Sequence, residues 1–312
     1  MARVSANNLH GLSRRHLLLA AGCLALAGCG RGQGEPQNDE PVDPNAPPVG
    51  SLAWAVAGNW RADGRPRDAW RHPVETLEFF EVAPDQTVVD MWPGAGYWTE
   101  ILAPYLARGG GRLYCANFQV ERPEPGQDLS NGANLATAQL VARFRERFEG
   151  NRRLYGEVAM TEFGPTSGPV APAASADLVL FMSQLHNWMA AGIAEKAFED
   201  AYAALKPGGT LGIEQHRAPV GSIQDPAAAD GYVQEAFVKQ LAAEAGFAFV
   251  AASEINANAA DTRDHPFGVW TLPPERRSAP RGEAPNPSFD HSPYDAIGES
   301  DRMTLKFRKP TA

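Results

Sequence analysis

Val88-Val89-Asp90-Met91-Trp92-Pro93-Gly94-Ala95-Gly96-Tyr97-Trp98-Thr99 reads as a buried strand that ends on an acid, turns through Gly-x-Gly and enters a helix. Glycines at such a turn let the backbone approach a ligand closely, and the helix start that follows presents N–H groups with no partner inside the helix. A turn of this kind, between a strand and a helix, is a candidate cofactor loop with Asp90, Gly94 and Gly96 at its working positions. A tight turn that holds nothing is the plain alternative. Trp92, Tyr97 and Trp98 either line the loop or belong to the core.

Working outward, strands and helices alternate. Helices are expected over residues 68–82, 97–107, 134–148, 194–205 and 231–245, from apolar positions recurring at helical spacing and from glycines at their ends. Strands are expected over residues 87–91, 112–118, 177–182, 210–215, 247–253 and 302–308. Alternation of this kind makes an α/β fold with a mostly parallel sheet and helices on both faces. The end differs: a Pro-rich stretch over residues 271–293, read as helix-free, separates the last two strands. That predicts a terminal antiparallel strand inserted beside its neighbour.

The segment around Asp90 resembles motif I of class I S-adenosylmethionine-dependent methyltransferases. Asp90 stands at the acidic position ending the first strand, Gly94 and Gly96 at the last two glycines, and Trp92-Pro93 where Gly-Cys is commoner. The resemblance implies a Rossmann-like methyltransferase fold and S-adenosylmethionine as cofactor, held by Asp90, Trp92, Gly94, Gly96 and Asn117. Asn117 ends the second strand where the family usually has an acid for the ribose hydroxyls, which an amide can also bond. Asp177-Leu178-Val179-Leu180 resembles the fourth-strand motif, and Leu205-Lys206-Pro207-Gly208-Gly209 the turn before strand five. More narrowly, Asp68-Ala69-Trp70-Arg71, the run from Trp92 to Leu106, His186-Asn187-Trp188 and the segment beginning Asp301-Arg302 are similar to a group of exported bacterial predicted methyltransferases. No substrate comes with that likeness.

His186-Asn187-Trp188 follows the fourth strand, at the carboxyl edge where open α/β sheets bind ligands. His186 is a candidate base of near-neutral pKa, Asn187 an orienting group and Trp188 a pocket wall; a structural His capping a helix is the alternative. Glu214-Gln215-His216-Arg217 ends the fifth strand, so Glu214, His216 and Arg217 are substrate candidates, or else a local ion pair. Arg71 could meet a carboxylate through a bidentate contact, the cofactor's own being one such carboxylate, or simply mark a solvated helix start. Asp264-His265-Pro266-Phe267 reads as a turn, with a lid as the other reading.

The N-terminus points to export. Arg3, Arg14 and Arg15 precede an apolar stretch over residues 17–27, and no acid occurs before Cys29. The stretch is shorter than the roughly 20 residues a membrane-spanning helix needs, and it closes on small residues as a secretory signal does. Ser13-Arg14-Arg15-His16-Leu17-Leu18 resembles a twin-arginine export motif, and Leu26-Ala27-Gly28-Cys29 a lipobox, which implies a lipid on Cys29; Cys23 is a weaker candidate. The expected organisation is a signal peptide over residues 1–28, a lipid-anchored Gly/Pro/Asn/Asp-rich tether over 29–51, and a methyltransferase-like domain over 52–312, held on the periplasmic side of the cell envelope.

The signal contains three arginines and no acid, so the formal charge of −9 becomes −12 without it. A net acidic chain lacks the basic footprint of a nucleic-acid binder. Beyond Cys29 the only cysteine is Cys115, so neither an intrachain disulfide nor a Cys/His metal spacing is expected there. The partners expected are a methyl acceptor of unknown identity and, through the anchor, a membrane. Two other functions stay open: a non-catalytic binding protein that keeps the fold, and a nicotinamide-dependent oxidoreductase. The latter would need a third glycine where Trp98-Thr99 stands.

Overall fold

Ser51 starts the regular structure, its side chain accepting from the Trp54 N–H at the head of α1 (Leu52–Ala57). The computed structural model describes residues 46–121 and 132–311; the signal peptide, Cys29 and most of the tether lie outside the described residues. The helix expected over 68–82 is two helices, α2 (Asp68–Arg71) and α3 (Pro73–Phe79). They are separated by His72 at φ 39°. The ring of Pro73 disfavours helical backbone at the residue before it, so the chain breaks there and restarts on the proline.

Then follow β1 (Thr87–Met91), α4 (Thr99–Gly109), β2 (Arg112–Phe118), α5 (Gly132–Gly150), α6 (Arg152–Tyr155) and β3 (Val158–Phe163). After these come β4 (Ala176–Met182), α7 (Leu185–Ala190), α8 (Ala194–Ala204), β5 (Leu205–His216), α9 (Glu235–Glu244), β6 (Ala248–Ser253), α10 (Ser292–Ile297) and β7 (Arg302–Arg308). The strands over 87–91, 112–118 and 302–308 have the expected bounds. β3 was not expected: Val158-Ala159-Met160-Thr161-Glu162-Phe163 has too weak an alternation, and its pairing with β2 decides its state. The segment 271–293 and the stretch up to the last strand were read as helix-free, but α10 forms there, starting at Ser292 inside that segment and taking Pro293 into its first turn. Lys206-Pro207-Gly208-Gly209 is an excursion within β5, where the pairing with β4 jumps from Ala176↔Leu205 to Leu178↔Thr210.

The sheet order is β3-β2-β1-β4-β5-β7-β6. All pairs are parallel except those of β7, which runs antiparallel between β5 and β6. The expected inserted last strand is therefore present. The chain winds outward from β1 through β2 to β3, then returns to β4 on the other side of β1. The carboxyl ends of β1 and β4 thus flank the point where the winding reverses, and there a crevice opens.

Alternate residues feed two cores, one on each face. Val89, Met91, Val179, Phe181, Leu211, Ile213 and Phe307 pack with Trp188 and Phe198 under α7, α8 and α9. Val88, Leu178 and Leu180 pack with Leu77, Ile101 and Phe148 under α3, α4 and α5. Each such side chain, fully buried, contributes about 1.5–3 kcal/mol of burial free energy. The sheet is thereby rigid from both sides, and its carboxyl edge is a fixed platform. Among the described residues no helix is long and apolar enough to cross a membrane.

Candidate functional site

At that edge lies a cavity of about 300 Å³. Its floor is the β1–α4 turn, one side is the β4–α7 turn, and the far wall carries Arg67, Arg71, Glu299 and Ser300. Its roof is the segment from Val269 to Glu275. The stretches quoted above from α2, the β1–α4 turn and the start of α7 all reach it.

Asp90 is 1% exposed. Thr99 Oγ1 donates to its Oδ2 at 2.9 Å. Its Oδ1 has no hydrogen-bond partner. Burial pushes the carboxyl pKa up to about 7, because the charged form loses more hydration than the neutral one. Asp90 lines the cavity, and its unpaired oxygen, sealed from solvent, is a buried acceptor without a donor. Gly94, at φ 60°, also lines it, and a Cβ there would meet no atom within 4 Å. That open side leaves room for a ligand against the backbone, whose Gly94 and Ala95 N–H groups meet no acceptor among the described residues.

Other loop residues do different work. Gly96 does not reach the cavity: a Cβ would lie 2.6 Å from the Phe148 ring, so this glycine serves the close packing of α5 on the loop. Asn117 also falls short of the cavity. It is buried, and its amide donates back to the Cys115 carbonyl at 3.3 Å and to Met160 Sδ at 3.6 Å. Trp92 holds a left-handed backbone at φ 52°, a strain of about 1–2 kcal/mol for a residue with a Cβ. Its indole N–H donates to the Phe163 carbonyl at 2.8 Å. The ring lies 4.3 Å from Phe118, 6.0 Å from Phe163 and 5.9 Å from Trp188. Such aromatic contacts are worth about 0.5–1.5 kcal/mol each and offset the strain. The indole thus covers the carboxyl ends of β2 and β3, on the side of the cavity where Asn117 was expected to act.

Gln215 sets the proton of His186. Its amide nitrogen lies 3.2 Å from both the Gly231 carbonyl oxygen and His186 Nδ1. A carbonyl oxygen can only accept, so the amide nitrogen must face it, and its second N–H donates to Nδ1. The ring proton is therefore assigned to Nε2. Burial lowers the His186 pKa to about 4, which corrects the near-neutral value expected from sequence. His186 lines the cavity as a neutral N–H donor rather than as a poised base.

His216 lies 5.2 Å from His186, ring to ring, and its Nδ1 is 2.6 Å from Ser300 Oγ. Burial, then the neighbouring His186 and arginines, holds it neutral as well. Asn187 lines the cavity, its amide donating to Gln184 Oε1 at 3.0 Å.

Trp188, Glu214 and Arg217 do not line it. Trp188 is wholly buried against Phe181. Glu214 is wholly buried, 2.9 Å from Arg302 Nη1 but without hydrogen-bond alignment. Arg217 is taken up by Asp301 and Glu254. The structure thus places Asp90, Trp92, Gly94, His186, Asn187 and His216 on the cavity and sets Gly96, Asn117, Trp188, Glu214 and Arg217 behind it.

The far wall was less legible. Arg71 is not a solvated helix start: its Nε donates to Glu299 Oε2 at 2.9 Å, and that of Arg67 to Oε1 at 2.5 Å. The Tyr97 ring lies under both guanidinium groups, at 4.7 Å from Arg71 and 5.8 Å from Arg67. Glu299, Ser300 and Trp270 went unremarked in the sequence, where only the adjacent Asp301-Arg302 stood out. The segment at 264–267 is a turn, as expected, with His265 on the buried Asp261. Among the described residues no cluster of His, Cys, Asp and Glu is arranged to hold a metal ion.

No protein-family model matches the sequence, and no curated protein matches it. Solved structures do. A SAM-dependent methyltransferase from Aquifex aeolicus is 17% identical over 64% of this chain and 93% of its own, with a TM-score of 0.46. The N-methyltransferase NodS from Bradyrhizobium japonicum, in complex with S-adenosyl-L-homocysteine, is 14% identical over 84% and 98%, at 0.44. Phosphoethanolamine N-methyltransferase 2 from Haemonchus contortus, in complex with S-adenosyl-L-methionine, is 17% identical over 77% and 53%, at 0.45. The strand order, with its antiparallel seventh strand lodged between the fifth and sixth, by itself places this chain in the Rossmann-like class I methyltransferase fold.

Proposed function

We propose that the protein is an exported S-adenosylmethionine-dependent methyltransferase, held to a membrane by a lipid on Cys29, whose acceptor enters the cavity beside His186 and Asn187. The observation that carries this reading is Asp90: a buried acid at the end of β1 with one oxygen left unpaired, lining the same cavity as Gly94. Those residues fit the amino-acid end of the cofactor. The Asp90 carboxylate would accept from its ammonium group, and the open side of Gly94 would take its chain. The nucleoside end finds no cradle as the side chains stand, because Asn117 faces inward and the Trp92 indole covers β2 and β3.

When bound, the cofactor supplies an electrophilic methyl group. The chain's own part is alignment and exclusion of water. The His186 Nε2–H and the Asn187 side chain orient the acceptor, and the segment over residues 269–275 walls one side of the cavity. Trp92 and Asn117 also favour a second reading, a binding protein that keeps the fold without the chemistry.

Calorimetry with S-adenosylhomocysteine on the wild type and on Trp92→Gly separates the two. The methyltransferase reading expects measurable affinity in the wild type that Asp90→Ala abolishes. Affinity that emerges only in Trp92→Gly favours the second reading, and none in either protein removes the first. For the anchor, mass spectrometry of the envelope-derived protein should find a diacylglyceryl group on an N-terminal Cys29. An unmodified Cys29 refutes it.

A further inference from the structure

We infer that Arg67 and Arg71 form a recognition site for the carboxylate of a second, monoanionic organic ligand, on the cavity they share with the loop at Gly94. This stands whether the cavity methylates that ligand or only holds it.

Three guanidinium groups, from Arg67, Arg71 and Arg302, share the single carboxylate of Glu299, at 2.5, 2.9 and 3.0 Å. Glu214 adds a second carboxylate, 2.9 Å from Arg302. The cluster therefore holds one positive charge in excess. Like charges packed together cost free energy unless something answers them. Arg67 registers this: burial and the nearness of Arg71 lower its pKa despite the bond to Glu299, whereas Glu299 and Glu214 raise that of Arg71 despite its burial. Arg61, the next cation, is already answered by Asp68 at 2.7 Å.

The donors left over point the same way. Arg67 and Arg71 each give Glu299 only their Nε–H. Among the described residues no acceptor meets their Nη groups, and none of these nitrogens is sealed from solvent. Both arginines line the cavity. The fork of Arg71 is held over the Tyr97 ring at 4.7 Å, and the Tyr97 hydroxyl is itself fixed on Asp68 Oδ1 at 2.6 Å. A guanidinium so braced, with its terminal donors free, is built for two parallel hydrogen bonds to a carboxylate. On the same cavity, His186 adds a neutral N–H and Ser300 a hydroxyl. A single excess charge suits a carboxylate better than a phosphate dianion. The body of the ligand would lie against Trp270, Val269 and Leu272 in the roof. The other acids on the cavity are Asp90, kept largely uncharged up to about pH 7 by burial, and Glu275 on the exposed rim.

The test uses the full-length protein with benzoate and its neutral counterpart benzamide, followed by saturation-transfer NMR and tryptophan fluorescence. Benzoate is expected to bind at least ten-fold more tightly than benzamide, and Arg71→Met to erase that preference while leaving benzamide unchanged. Equal binding of the two probes by the wild type overturns the inference without any variant, so a poorly folding Arg71→Met does not shield it. Arg67→Met, on the more exposed partner, gives a second reading and should lower benzoate affinity several-fold. Saturating S-adenosylhomocysteine should leave benzoate affinity within about three-fold. Full displacement would assign the arginines to the amino-acid carboxylate instead and overturn the claim of a second ligand. Failure of S-adenosylhomocysteine to bind at all sinks the methyltransferase reading and leaves the benzoate comparison intact.

Discussion

Replacing Asp90 by Asn should stabilise the protein at neutral pH and not in acid. Asn is nearly isosteric, and its amide oxygen can keep the bond from Thr99 Oγ1 that Asp90 Oδ2 now accepts at 2.9 Å. What it removes is a buried negative charge. The carboxyl pKa is 3.8 without the fold's influence and about 7 within it. Between those values the folded protein holds a proton that the unfolded chain has released, so stability falls as pH rises through the window and is level on either side. Three pKa units correspond to about 4 kcal/mol, taken as an upper figure. At about 2–4 °C per kcal/mol for a domain of this size, the melting temperature of Asp90→Asn should exceed that of the wild type by up to roughly 8–16 °C at pH 8. Near pH 4 the two should coincide. Urea unfolding followed by tryptophan fluorescence at pH 4, 6 and 8 measures this directly. A midpoint difference that does not grow with pH, or a wild type that is the more stable at pH 8, refutes the reasoning. The stability lost to Asp90 is the physical argument for its role, since a structural acid would have been given a second partner.

The histidine shift runs the other way. His186 stays neutral in the fold to about pH 4, whereas the unfolded chain takes up its proton near 6.5, so stability is lost as pH falls between them. His186→Gln should therefore gain on the wild type only below pH 6.5, by about 3 kcal/mol at pH 4, and ligand binding should show no inflection near 6.5. Gly96→Ala should cost roughly 2–4 kcal/mol in thermal denaturation, because φ is 94° and the new methyl meets the Phe148 ring. Gly94→Ala, with open space around it, should cost only about 1 kcal/mol. Glu299→Gln leaves three guanidinium groups without their shared carboxylate and should cost about 3–5 kcal/mol; in a double-mutant cycle, adding Arg67→Met should recover part of that loss.

The turn at Asp90 and the inserted last strand were legible because both depend on local rules. β1 is a short apolar run ended by an acid and a glycine turn, and β7 follows a proline-rich stretch that cannot carry a long crossover helix. Asp90, Gly94, His186, Asn187 and His216 were legible as neighbours because parallel topology puts every strand's carboxyl end on one edge.

Sequence alone settled which residues stand at that edge. It did not settle which way they face or what charge they carry. Gly96 and Asn117 lie in the expected places yet turn into the packing, because α5 and Met160 occupy the space beside them. His186 is a donor and not a base because of Gln215 and the Gly231 carbonyl, the one on β5 and the other in the loop beyond it. The arginine wall joins α2 to Glu299, 228 residues further along the chain from Arg71. Motif and periodicity report backbone geometry, which is local. Protonation, side-chain direction and charge balance are set by contacts across the sheet, and only the folded chain brings those together.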